Sequence, residues 1–202
     1  SRPPADGGTG DLRLVLNKDQ PGDTASALFQ SGFSGRAEIG LTGGENLVVK
    51  ASADGAVWRD ALVVERTSGI VRAPALPAFR ASYPPGSHTV ATTSTDLVFP
   101  QVLDNAGGCY SPVTGRFTAP APGRYLFSAT LDCTASVGGR VLFAVNGSQV
   151  FPIAGLIGGA AVPVVTVLGL AAGDTVAFRT SAGHGSATFN GVQSVFTGVF
   201  LG

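Results

Sequence analysis

Apolar and polar residues alternate along this chain in short runs, and glycine or proline interrupts almost every stretch of ten residues. An apolar period of two over roughly four to eight residues marks a half-buried strand. A helix needs apolar positions at i, i+3, i+4 and i+7 across about ten residues. The first spacing recurs and the second does not, so the pattern predicts an all-β chain. In the first third, Leu12–Leu16 alternates partly and ends at Asn17. Ala25–Gln30 and Ala37–Leu41 flank a Gly-Phe-Ser-Gly turn at 32–35, and Asn46–Ser52 and Ala56–Arg59 flank Asp54-Gly55, a strong hairpin signal. Leu62–Glu65 and Ile70–Arg72 flank Thr67-Ser68-Gly69.

From Phe79 onward the runs are richer. Strands are predicted at Phe79–Tyr83, Leu97–Leu103, Cys109–Tyr110, Arg116–Ala119, Arg124–Asp132, Arg140–Val145, Gln149–Ile153, Ala161–Leu170, Thr175–Thr180 and Ser194–Leu201. Short strands at such even spacing describe a β-sandwich. Pro120 and Pro122 end one strand because proline removes a ladder donor and fixes φ, and Gly123 lets the chain turn into the next. Phe117, Tyr125 and Phe127 are evenly spaced within their strands and are predicted to share one core. Ala160–Leu168 is apolar at nearly every position, which implies burial on both faces. Pro163 within it argues for an edge or a bulge. The last strand carries Phe196 and Phe200 on one face and Val195, Val199 and Leu201 on the other. A strand apolar on both faces belongs between a core and a partner subunit, which favours an oligomer over a thick monomeric sandwich.

Composition divides the chain. Residues 1–75 carry 8 basic and 9 acidic side chains but 3 aromatics, whereas residues 76–202 carry 5 basic, 4 acidic and 13 aromatics. Together with the linker-like Ala73-Pro74-Ala75-Leu76-Pro77-Ala78, this places a domain boundary near residue 75. A first part of that size buries a modest core. The remedies are oligomerisation, with three copies sharing one core, or a small independent β domain around Trp58. The formal net charge is zero and no basic stripe is present, so a nucleic-acid surface is not expected. No apolar run is long enough to span a membrane, no signal peptide is legible, and membrane insertion is not expected. The chain has no Met, even at position 1, so a processed product or fragment with further sequence upstream is expected.

Two stretches resemble known families. Phe99-Pro100-Gln101-Val102 with Asn105, Gly107 and Tyr110, then Thr114-Gly115-Arg116-Phe117-Thr118-Ala119-Pro120-Ala121-Pro122-Gly123-Arg124-Tyr125-Leu126-Phe127, is similar to the signature of the C1q/tumour-necrosis-factor-like jelly roll. Gly173-Asp174-Thr175-Val176 and the closing Ser194–Leu201 fit the same pattern, over about 125 residues. The chain departs from it at 155–170, which is unusually small and apolar, and in its loops. Residues 12–74, notably Thr24–Leu41, Val49–Trp58 and Glu65–Val71, resemble a segment of tail-fibre proteins of phages and phage-like gene transfer agents. Together these resemblances imply a β shaft or collar over 1–75 and a jelly-roll head over 76–202. They imply a homotrimer partnered by fibre or baseplate proteins. The implied place is a virion or phage-like particle, assembled in the bacterial cytoplasm and extracellular on release. Phe117, Tyr125, Phe127, Phe196 and Phe200 would form the head core and its trimer contacts.

Catalytic chemistry has little support. The head has four carboxylates, Asp96, Asp104, Asp132 and Asp174, too few to favour a paired-acid glycosidase. His88 and His184 lie beside Gly or Ser, and no nucleophile elbow, phosphate loop or metal cluster is legible. Calcium occurs in some C1q-like heads, but no acidic cluster is present for it, and no metal or cofactor is expected. Cys109 and Cys133 read as buried free thiols, or as a disulfide if their strands are neighbours. Asn146-Gly147-Ser148 matches a glycosylation sequon, and its Asn-Gly pair also suits a tight turn. The long polar stretches Pro85–Thr95 and Ser181–Gly191 read as loops, and loops on a rigid scaffold concentrate recognition. His88, His184, Ser186, Phe189 and Asn190 are the binding candidates, Phe189 as a stacking face for a cell-surface polysaccharide or other receptor. The competing readings are solvated loops with Phe189 tucked inward, on a knob that registers a fibre without binding, and the head of a bacterial surface adhesin.

Overall fold

Period-two patterning produces sixteen strands and no α-helix among the described residues. The computed structural model describes residues 5, 7, 11–136, 138–181 and 185–202, the side chain of Phe151 excepted. The chain divides into two compact units, Ser1–Ala75 and Leu76–Gly202.

The first unit is one antiparallel meander of β1 (Thr24–Ser31), β2 (Ser34–Thr42), β3 (Leu47–Ala51), β4 (Arg59–Val64) and β5 (Val71–Arg72), in that spatial order. The turn between β1 and β2 is tighter than expected: Gly32 and Phe33 make it with φ of 58° and 61°, and Ser34 and Gly35 already belong to β2. Left-handed geometry at both turn positions matches the natural twist of a two-residue hairpin. Two expected strands are absent. Leu12–Leu16 is in no sheet, with Leu12 and Leu14 more than four-fifths exposed. Ala56–Arg59 is a loop up to Arg59, because the Asp54 carboxylate accepts the N–H groups of Ala56 and Val57, each at 2.9 Å. Those donors are therefore lost to a ladder. Trp58 is half-buried on the wall of an open groove of about 500 Å³ with Leu28, Gln30, Phe33 and Glu38, so it is not the centre of a core.

In the second unit two sheets face each other. One runs β13 (Ser148–Gly155), β12 (Arg140–Val145), β15 (Thr175–Ser181), β10 (Arg116–Thr118), β9 (Tyr110–Ser111). The other runs β14 (Ala160–Leu170), β11 (Gly123–Ser136), β16 (Ser186–Phe200), β6 (Ala78–Ser82), β8 (Gln101–Ala106), with β7 (Ser87–Ala91) paired to the first half of β16. Aromatic rings fill the space between the sheets. Phe117, Tyr125, Phe127, Phe143, Phe178 and Phe196 are fully buried. Phe79 stacks on Tyr110 at 4.6 Å and meets Phe196 edge-on at 4.8 Å, arrangements that the ring quadrupole favours. At the Pro120–Gly123 corner the Tyr125 hydroxyl donates to the Ala121 carbonyl at 2.7 Å. Gly123 has φ 153°, and a Cβ there would lie 2.5 Å from the Phe200 ring. Only glycine fits this corner.

Three expectations need correction. Pro85–Thr95 and Ser181–Gly191 are not simply loops, since Ser87–Ala91 and Ser186–Asn190 pair with each other as strands. Their Ser and Thr hydroxyls disguise a period-two pattern whose inward positions are Ala187 and Phe189. The run at 160–168 is not buried on both faces: Val162 and Val164 are buried, but Val165 and Val167 are about half exposed. β14 is an edge strand with an open outer face, which also accommodates Pro163. Leu97 and Phe99 are fully buried yet precede β8, held by an isolated bridge between Asp96 and Arg179 and by the Leu97 N–H donating to the Phe178 carbonyl at 2.8 Å.

Candidate recognition surface

The outer face of the β14–β11–β16–β6–β8 sheet changes character along the strands. At one end, register places Val167, Leu126, Val199, Ala78 and Ala106 in one row across five strands. The next outward row is Val165, Ser128, Thr197, Arg80 and Asp104. Val167, Val165 and Val199 are 39–53% exposed. At the other end, along β16 and its neighbours, the outward side chains become polar. The hydroxyls of Thr89 and Thr188 lie 3.0 Å apart, and the Thr134 hydroxyl donates to the Thr188 carbonyl at 3.1 Å. Ser87 and Ser186 are exposed beside them. This hydroxyl row spans β7, β16 and β11, with the Asp132 carboxylate in register beside it on β11. Sequence reasoning missed Thr89, Thr134 and Thr188. Their alternation with the apolar Val90, Ala135, Ala187 and Phe189 was the available signal.

The binding candidates fall differently from expectation. Phe189 is fully buried, packed edge-on against Tyr83 at 4.7 Å, so it is a core residue and no stacking platform. His88 sits opposite it, half-buried, with its ring 5.0 Å from Tyr83. Its Nε2 is 2.9 Å from the Pro84 carbonyl, which only accepts, so Nε2 carries the proton. His88 thus closes the edge of the core. Ser186 is exposed, opposite Ala91. Asn190 is half-buried between Ser87 and Asp132, and its carbonyl accepts the Ser194 hydroxyl at 2.7 Å. His184 lies outside the described residues. Of the core candidates, Phe117, Tyr125, Phe127 and Phe196 are fully buried within one copy, and Phe200 is partly buried against Tyr125 at 5.0 Å.

The head carboxylates are structural. Asp96 accepts Arg179 Nε at 2.5 Å and Arg116 Nη2 at 2.7 Å. Burial pulls its pKa up, but the hydrogen bonds from Arg179 and Arg116 outweigh it and hold the carboxyl below its ordinary value. Asp174 accepts the Asn146 amide and the Ala171 N–H, both at 2.8 Å, and these lower its pKa. Asn146 and Gly147 form the predicted tight turn, with φ of 50° and 81°. Cys109 and Cys133 are buried free thiols whose pKa values burial raises, which suppresses the reactive thiolate. No group of three metal-ligating side chains occurs among the described residues, and no helix among them is long and apolar enough to cross a membrane.

The C1q domain profile matches residues 78–201. The chain belongs to the C1q-domain family. Among solved structures, the globular domain of zebrafish complement 1qA is 20% identical with a TM-score of 0.50, covering 62% of this chain and 98% of that one. Murine APRIL is 10% identical with a TM-score of 0.45, covering 62% and 99%. Eiger TNF from S. frugiperda is 14% identical with a TM-score of 0.43, covering 62% and 94%. No curated protein matches the chain. The second unit is therefore a C1q-type jelly roll, the fold of a recognition module. In this C1q domain the family-like residues of 99–110 do structural work. The Asn105 amide donates to the Tyr110 carbonyl at 2.9 Å and its oxygen accepts the Tyr110 N–H at 3.0 Å. The Tyr110 hydroxyl donates to the Phe99 carbonyl at 3.1 Å. They clamp the segment around β8 and β9 onto the aromatic core. Burial pushes the pKa of that hydroxyl up to about 12, so it stays a donor.

Proposed function

We propose that this chain is the distal part of a homotrimeric fibre on a phage or gene-transfer-agent particle, with its C1q head attaching to a cell-surface polysaccharide. The observation that carries the reading is the two-ended outer face of the β14–β11–β16 sheet. Its apolar end, around Leu126, Val167 and Val199, suits contact between copies about a threefold axis. Its hydroxyl-lined end at Thr89, Thr134 and Thr188 stays available to a neutral polar ligand such as a saccharide. The tail-fibre resemblance of residues 12–74 supplies the particle, and with it the fibre or baseplate proteins as further partners. No reaction is assigned.

One observation favours a second reading. Phe189, the aromatic best suited by sequence to stack on a sugar, is fully buried. With that ring in the core, the head also fits a knob that registers and caps the fibre without binding. A glycan array with the intact chain separates the two. Saccharide capture that Thr188→Val weakens at least tenfold, with the chain's mass unchanged, supports attachment. Capture of no glycan and no competition with particle adsorption to host cells would leave the capping role.

A further inference from the structure

The sheet of the first unit has one face that water should not cover. Register places Ala27, Ile39, Val49 and Leu62 in one row across four strands, and Ala25, Leu41, Leu47, Val64 and Val71 in the next. Phe29 and Ala37 extend the same face. Phe29, Ile39, Leu47, Leu62 and Val71 are between 41% and 60% exposed. Arg59, at the margin, is the one charged residue among the described positions of these rows. The opposite face carries Glu38, Lys50 and Asp60 in register across three strands. A contiguous exposed apolar patch of this kind marks an interface, whereas the opposite face carries its charges beside Val48 and Val63, which are buried within one copy.

We infer that the β1–β4 apolar face is a self-association surface whose occupant is the same face of other copies of this chain. The inference rests on the threefold head proposed above. Five residues separate Arg72 of β5 from Ala78 of β6, a span of at most about 20 Å. Three heads held together would therefore confine three copies of the first unit at an effective concentration in the millimolar range. At that concentration an apolar face with a single marginal charge meets its own copies before any other protein. Covering it completes the core that this unit does not have by itself, so one assembly event satisfies uncovered apolar faces in both units. Exchange about an axis is closed, which limits growth into aggregates.

Thiol labelling of the purified full chain tests this. Ile39→Cys and Leu62→Cys place a thiol on the apolar face and Lys50→Cys places one on the charged face; the native Cys109 and Cys133 are buried. Both apolar-face thiols should react with a maleimide at least tenfold more slowly than the Lys50→Cys thiol, in a chain whose light-scattering mass is threefold. A threefold mass with equal labelling rates at all three positions overturns this inference and leaves the head assembly intact. A monomeric mass overturns both. Because Cys is small and apolar, all three variants should keep the far-ultraviolet spectrum of the parent chain, and the labelling comparison is made between variants that do.

Discussion

Asp96 shows how much a single side chain organises in the head. It joins Arg116 on β10 to Arg179 on β15 and anchors the chain just before the buried Leu97 and Phe99. Asp96→Asn leaves Arg179, only 14% exposed, without its anion, and should cost about 2 kcal/mol in chemical denaturation. The pH dependence follows from the depressed pKa. A carboxyl whose folded value lies below its unfolded value contributes stability above about pH 4, and loses it as pH falls through the folded value. The denaturation midpoint of the parent should therefore drop below pH 4, and drop less in Asp96→Asn. Gly198 is a second such point: a Cβ there would lie 2.5 Å from the Phe79 ring and 2.8 Å from Phe127. Gly198→Val should destabilise the head by about 3 kcal/mol or more, since neither buried ring has room to move. Little of this was legible beforehand. Asp96 read only as one of four sparse carboxylates, because its two arginines are 20 and 83 residues away in sequence.

At the scale of elements, strand existence followed from alternation, and most strand ends followed from glycine and proline. Arg140–Val145 was located to the residue, and Arg116–Thr118 to within one. The two strands missed in the head have one cause. Ser87–Ala91 and Ser186–Asn190 are built from Ser, Thr, His and Asn, whose local polarity reads as loop, and only mutual pairing over about 100 residues of sequence makes them strands. Leu12–Leu16 fails in the opposite direction: its apolar alternation has no ladder partner within one copy. The outer row of the head sheet gives the clearest element-level test. Leu126→Arg or Val199→Arg faces outward in one copy, so it should leave the far-ultraviolet spectrum of the chain as in the parent. It should shift the light-scattering mass from threefold toward one chain, because a charge in a closed apolar contact has no counter-ion. Unchanged mass in both variants would remove this row from the interface.

At the scale of the whole molecule, two units with unlike chemistry share one chain. The head has a complete aromatic core within one copy, and the first unit has a sheet with an uncovered apolar face. The intact chain should behave as a threefold species at micromolar concentration, and a stable monomer there would refute the fibre reading. Added in excess, it should compete with particle adsorption to host cells if the head attaches. What the sequence by itself determined was local: strands from the period of two, the Pro120–Gly123 corner from backbone restriction, the tight Asn146-Gly147 turn, and the change in composition near residue 75. Tertiary structure alone decided which apolar residues face a core and which face outward, because a strand's alternation names two faces without saying which is covered. That is why Phe189, polar-flanked and legible either as a stacking face or as tucked inward, is settled in the core only by the fold, while Val165 and Val167, expected to be buried, point outward.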